Sequence, residues 1–193
     1  MPRTKAFDVT DALDKAKDYF WAHGYESTSM DDLLKAMVIN RGSFYDTYEN
    51  KHKLLLDALD HYIENDIAPS LAKATEGLEP REAIVAIFKR KLKRMNDPQG
   101  RFGCLLINTA LELAPHDEAV AKVVHRRHDE LAKRFIRLVK QGQADGTISK
   151  RCKPTQLGRL LLNHLLGVLV LLRSRVSETM LKSVINQVDL LLD

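Results

Sequence analysis

The sequence predicts an all-α protein, on three observations. Apolar residues recur at three- and four-residue spacing along most of the chain. No segment sustains the alternation of a half-buried strand. Pro and Gly fall between the periodic segments, where they punctuate rather than interrupt. At 193 residues with 45% hydrophobic content, the chain can bury a core. The longest apolar run, residues 160–172, contains Asn163 and His164 and is closed by Arg159 and Arg173. It is shorter than the roughly 20 residues a bilayer requires, so a buried helix is expected and no membrane partner. The start, MPRTKAFDVTD, lacks an apolar signal segment, and Cys104 and Cys152 are widely spaced. A cytoplasmic protein with free thiols is therefore expected.

A first helix is expected over residues 10–23, where Ala12, Leu13, Ala16, Tyr19 and Phe20 share a face and Gly24 supplies the stop. A second begins after Thr28-Ser29, either of which can cap it, while Asp31 and Asp32 suit its positive end. It turns Met30, Leu33, Leu34 and Met37 inward. Val38-Ile39-Asn40 is too short for a free loop, and Asn40 is a good cap for a third helix over 41–48. Two short helices joined by so tight a turn make a helix-turn-helix. A fourth runs from about Lys51 through Leu54, Leu55, Leu59, Tyr62 and Ile63 toward Ala68, and Pro69 predicts a break or kink there. Residues 73–79 read as a joint.

Beyond the joint, helices are expected over 80–95, 103–114 and 116–143, bounded by Asn96-Asp97-Pro98, Pro115 and Asp145-Gly146. A strongly apolar helix over 154–174 follows. Ser177 caps the last, in which Met180, Leu181, Val184, Ile185, Val188, Leu191 and Leu192 keep a four-then-three rhythm. The expected division is residues 1–53 and 54–193, with a connecting helix starting at about 51.

A formal charge of +4 and a pI near 9.0 hint at a polyanionic partner. Location weakens the hint. Residues 1–53 hold eight Lys/Arg against nine Asp/Glu, and residues 54–193 hold 22 against 17. Any nucleic-acid reading must rest on where individual bases sit.

Residues 40–51, NRGSFYDTYENK, carry suitable chemistry. Arg41 can reach a phosphate or the O6/N7 edge of guanine, Ser43 and Thr47 can donate, and Gly42 lets the backbone come close. Tyr45 and Lys51 can meet phosphates, while Phe44 and Tyr48 suit the buried side. A short polar surface helix would have the same composition, so spacing alone leaves both readings open.

The runs ALDKAKDYFWAHGYESTSMDDL (12–33) and NRGSFYDTYENKHKL (40–54) resemble the N-terminal domain of TetR-family transcriptional regulators. The resemblance implies that the third helix is a recognition helix for double-stranded operator DNA. It implies that Thr28 meets the DNA backbone and that Arg41, Gly42, Ser43, Tyr45, Thr47 and Lys51 line the DNA face. It also implies a C-terminal effector-binding and dimerisation domain. Val38 departs from the pattern, which commonly has Gly in the turn.

The apolar segment 157–172 needs partners on several sides. A homodimer pairing it and the last helix with their twofold mates would supply them, with Leu165 and Leu169 in the interface. A purely intramolecular core is the alternative. For an unidentified small-molecule effector, the candidate residues are Phe102, Cys104, Asn108, Glu112 and His164. The positive end of a helix favours a thiolate, and Arg101 adds potential, so Cys104 is a candidate for oxidants or electrophiles. A small buried structural cysteine is the commoner case in an apolar helix, and Glu112 reads equally as a solvated residue or a structural acceptor. His125 and His128 beside Asp129 are flanked by Arg126 and Arg127, which suits an exposed face better than a metal site. With no nucleophile elbow or phosphate loop, neither enzyme nor cofactor is expected. The expected function is a dimeric repressor that binds palindromic operator DNA and is released by a small-molecule or electrophile inducer. A thiol-dependent helical enzyme and a helical scaffold are the alternatives.

Overall fold

The computed structural model describes residues 7–97 and 99–193, with Arg101 described for its backbone alone. Among the described residues the regular structure is helical throughout: α1 (Val9–His23), α2 (Met30–Met37), α3 (Arg41–Tyr48), α4 (Lys51–Tyr62), α5 (Ala68–Thr75), α6 (Pro80–Lys93), α7 (Leu105–Leu113), α8 (Glu118–Asp145), α9 (Pro154–Arg173) and α10 (Glu178–Leu192).

Local chemistry starts these helices. Asp8 caps α1 by accepting the N–H groups of Thr10 and Asp11 at 2.8 and 3.1 Å. Ser29 and Asp32 form a reciprocal capping box on α2. Asn40 caps α3 through the N–H of Ser43 and Asn50 caps α4 through that of Lys53, both at 2.8 Å. Asp117 opens α8 through Val120 and Ser177 opens α10 through Met180.

The break or kink expected at Pro69 takes the form of one widened π turn over Ile63–Ile67, and the chain continues as α5 to Thr75 with the proline in its first turn. Pro69 has no N–H to give the carbonyl four residues back, and the wider turn absorbs that mismatch. Two expectations are corrected. First, α7 begins after Cys104, which is its N-cap residue, and α8 begins at Glu118. Second, Leu165 and Leu169 face inward, only 2% and 8% exposed. The outer side of α9 carries Leu160, Gly167 and Val170 instead, and that of α10 carries Met180 and Leu190.

Packing builds two joined parts. Helix α1 lies against α2 and α4, with Phe44 and Tyr48 of α3 completing that core. In the second part α9 lies along α8, and α6 is held by α5, α8 and α10. Gly158 permits the α8–α9 approach, since a Cβ there would lie 2.5 Å from Ile136 Cγ1 and 2.8 Å from its backbone nitrogen. One apolar cluster runs through both parts by way of Trp21, Tyr62 and Leu105. Helix α4 therefore belongs to both. By length and composition α9 could cross a bilayer, but here its inner face packs on α8.

Candidate nucleic-acid interface and ligand cavity

The tight turn before α3 is made by Val38, a left-handed residue (φ 58°, ψ 44°) at the end of α2. It leads directly into α3, which turns Phe44 and Tyr48 inward. The Tyr48 hydroxyl donates to the Val9 carbonyl at 3.1 Å, and burial pushes its pKa up to about 12, with Asp57 adding to the effect. Arg41, Gly42 and Tyr45 are exposed, Ser43 and Thr47 are half-buried at the edges, and Lys51 stands at the start of α4. The Lys51 ammonium lies 4.1 Å from the centre of the Tyr25 ring, which fixes its position. Arg41 donates to Asp31 at 2.6 Å, an exposed pair. Thr28 differs from expectation. The residue is 1% exposed and its hydroxyl donates to the Gly24 carbonyl at 2.5 Å, so Ser29 rather than Thr28 stands at the surface.

Several contacts tie this head to the second part. The Glu112 carboxylate on α7 accepts the N–H groups of Tyr25 and Glu26 at 3.0 and 2.8 Å. Gly24 (φ 85°) makes room for it, since a Cβ there would lie 3.1 Å from a carboxylate oxygen. His52 meets Asp117 at 2.6 Å, and burial of Lys17 brings it to Asp14 and Asp66 at 2.8 and 3.0 Å. Burial opposes the Lys17 charge, but hydrogen bonds to Asp14 and Asp66 outweigh it and hold the pKa above the ordinary lysine range. Nothing in the apolar pattern of α1 singles Lys17 out, because one of its partners, Asp66, comes from the distant π turn.

Beside these ties lies a cavity of about 760 Å³ between α1, the π turn, α5, α6, α7, α8 and α9, with Cys104 on its wall. Its floor is apolar, with Ile63, Ile67, Leu106, Leu131, Leu165 and Leu169. Trp21 of α1 lines it too, edge-on to Tyr62 with ring centres 5.0 Å apart. Burial drives the Tyr62 pKa well above the usual tyrosine range; Cys104 adds to that and Arg94 opposes it.

Of the candidate effector residues, Cys104 alone lines this cavity. Asn108 and Glu112 line a smaller cleft of about 330 Å³ between α1 and α7. Asn108 donates to the Phe102 carbonyl at 2.8 Å. His164 donates from Nε2 to the Val184 carbonyl at 2.9 Å and packs tilted against Phe88, tying α9 to α10 and α6. The Arg101 side chain lies outside the described residues. His128 does line the cavity, and burial, with His125 adding, keeps its pKa below the usual histidine value. The basic run KRKLKR (89–94) at the end of α6 supplies much of the wall and is a functional feature that the sequence pattern does not single out. Its visible signal was five bases in six residues, a pattern that a helix C-terminus also favours for its own sake.

The fold and its exposed third helix define a helix-turn-helix protein with an attached, cavity-bearing helical domain. Residues 12–58 match the family model for bacterial regulatory proteins of the tetR family, and residues 80–188 match that for the tetracyclin repressor-like C-terminal domain. The chain belongs to the TetR family of transcriptional regulators. It is 35% identical over 150 residues to the uncharacterized HTH-type transcriptional regulator YezE of Bacillus subtilis, covering 76% of this chain and 77% of YezE. It is 32% identical over 160 residues to the HTH-type transcriptional repressor ComR of Escherichia coli, covering 82% and 76% respectively. Among solved structures it superposes on a cysteine-substituted form of the TetR family regulator CifR complexed with 26bp operator DNA. That match has a TM-score of 0.85, 28% identity, and coverage of 97% of this chain and 98% of CifR. These relatives are regulators, not enzymes, and so is this chain.

Proposed function

We propose that the protein is a homodimeric repressor that binds palindromic operator DNA through α3 and is released when a small molecule occupies the cavity. The observation that carries the reading is Trp21: it sits in the first helix of the DNA-reading head and also forms a wall of the cavity. A ligand that fills the cavity therefore presses on the element that orients α3. The π turn and Glu112 supply parallel links. A ligand that prefers the head separation unsuited to the operator shifts the population away from the DNA-bound form. Operator binding by the CifR form and the repressor role of ComR support the DNA side. The dimer is supported by the exposed Leu160, Gly167 and Val170 on α9 and Met180 and Leu190 on α10, outward positions on two helices that pack together. Cytoplasmic action follows from an operator partner.

Titration of labelled operator tests the reading. Arg41→Ala should weaken binding by about 1 to 3 kcal/mol if its contact is bidentate to guanine. Tyr45→Phe should weaken it by less, and both should keep their helicity. Unchanged affinity in both variants would remove α3 from the interface. Covalent release is a second route, favoured by the place of Cys104 on the wall. A quinone-type electrophile entering there would form a bond from carbon to Sγ as the thiol loses its proton, while the displaced π pair moves onto the acceptor oxygen and takes up a proton. Exposed Cys152, whose carbonyl accepts from Gln143 at 2.8 Å in a connector, is the control. Release that Cys104→Ser abolishes and Cys152→Ser spares supports that route; equal release by all forms excludes it.

A further inference from the structure

The positive charge of this chain belongs to residues 54–193, and much of it gathers around one hollow. Seven lysines and arginines line the cavity against three carboxylates. Each of those carboxylates already has a cation: Asp66 takes Lys17 at 3.0 Å, Glu130 takes Arg127 at 3.0 Å, and Asp97 lies 3.9 Å from Arg94. Arg90, Lys91, Lys93, Arg134 and Arg137 form no ion pair among the described residues. Two of them are held by neutral oxygens: Arg90 donates to Ser70 Oγ at 2.8 Å, and Arg134 donates to Thr75 Oγ1 at 2.8 Å and to the Leu71 carbonyl at 3.3 Å. These bonds keep guanidinium groups at the cavity without neutralising them.

A wall with seven cations against three carboxylates that are already paired is complementary to a ligand that brings anionic oxygens. The floor asks for something else. Ile63, Ile67, Leu106, Leu131, Leu165 and Leu169 offer an apolar surface that a bare polyanion would not use, and a hollow of about 760 Å³ suits a drug-sized molecule.

We propose that the cavity selects an organic anion, with an acidic head group held by the unpaired cations, Lys91 and Arg137 among them, and an apolar body on the leucine and isoleucine floor. This rests on the effector-cavity reading and narrows it to a ligand class. It also accounts for the basic pI, which the DNA-reading head, with its balance of −1, does not share.

Trp21 is the sole tryptophan and lies on the wall, so its fluorescence reports occupancy. The full-length protein is titrated with octanoate and 4-phenylbutyrate and with the primary amide of each, while release of labelled operator is read in parallel. The acids should bind at least about tenfold more tightly than their amides, because charge-assisted hydrogen bonds are roughly twice as strong as neutral ones. Lys91→Met and Arg137→Met, checked for retained helicity, should weaken the acids by about fivefold or more, a loss typical of a charged hydrogen bond, while leaving the amides unchanged. Equal or tighter binding of the amides overturns the proposal, as does failure of both acids to bind at millimolar concentration. An acid that binds with the expected preference yet leaves the operator bound supports the anion site and rejects the effector reading. An amide that binds more tightly and releases the operator does the reverse.

Discussion

Val38 holds a backbone conformation that its side chain resists. It is β-branched, 74% exposed and left-handed, so it spends about 1 to 2 kcal/mol of strain and recovers little from packing. Val38→Gly should therefore raise the denaturant midpoint without changing its slope; an unchanged or lower midpoint would show that the side chain contributes more than its exposure implies. Lys91 makes a second residue-scale statement. Burial lowers its pKa to about 8; Cys104 opposes this, and Arg94 and Arg90 add to it. A lysine whose folded pKa is depressed costs stability while charged, so that cost is relieved as pH rises from about 8 toward the unfolded value near 10.5. An organic acid needs the charged form, so its affinity should hold below pH 8 and fall above it. The other groups at the cavity are Arg90, Arg94, Lys93, Asp97, Tyr62, Asp66, Cys104, Arg127, His128, Glu130, Arg134 and Arg137. Tyr62 is shifted up and His128 down, both away from this window. Cys104→Ser should keep the fall and Lys91→Met should abolish it, as read by Trp21 fluorescence against pH.

At the scale of elements, the outward faces of α9 and α10 carry the test of assembly. Val170→Glu or Gly167→Glu adds a charge to the proposed interface without touching the inner core, because Val170 is 41% exposed and a Cβ on Gly167 meets nothing within 4 Å. Light scattering should show a folded monomer, with operator affinity falling alongside. A folded dimer for both variants would move the interface elsewhere. Leu165→Asp cannot make this distinction, because it buries a carboxylate in the monomer's own core and should unfold it. Glu112 joins α7 to the turn after α1. Glu112→Ala removes the acceptor of two backbone N–H groups, and a lost partner of that kind costs about 1 to 3 kcal/mol. The variant should lose stability and, more tellingly, lose much of the ligand effect on operator affinity while still binding both. Unchanged coupling would assign the link to Trp21 and the π turn alone.

Across the whole molecule, the all-α class, the order of the helices and the inward residues Phe44 and Tyr48 were legible from sequence, since each follows from spacing and capping within a dozen residues. The exposed positions Arg41, Gly42 and Tyr45 were legible for the same reason, being the complement of a short buried stripe on one helix. Thr28 was not, because a hydroxyl four residues past Gly24 can face DNA or its own backbone, and the α1–α2 turn decides. Nor were Leu165 and Leu169: α9 is apolar on both sides, so periodicity cannot say which side meets α8 and which is left for a partner. The cavity was out of reach altogether. Its wall joins Trp21 from residue 21, the basic run at 89–94, Cys104, the arginines of α8 and the leucines of α9, and no local pattern links positions so far apart. The sequence by itself determined which segments are helices and which residue types each offers, because hydrogen bonding and capping act over a few residues. Tertiary structure alone decided which charges were left without partners, because neutralisation depends on distance in space: Asp66 goes to Lys17 of α1, and the cations around the hollow keep their charge for a ligand.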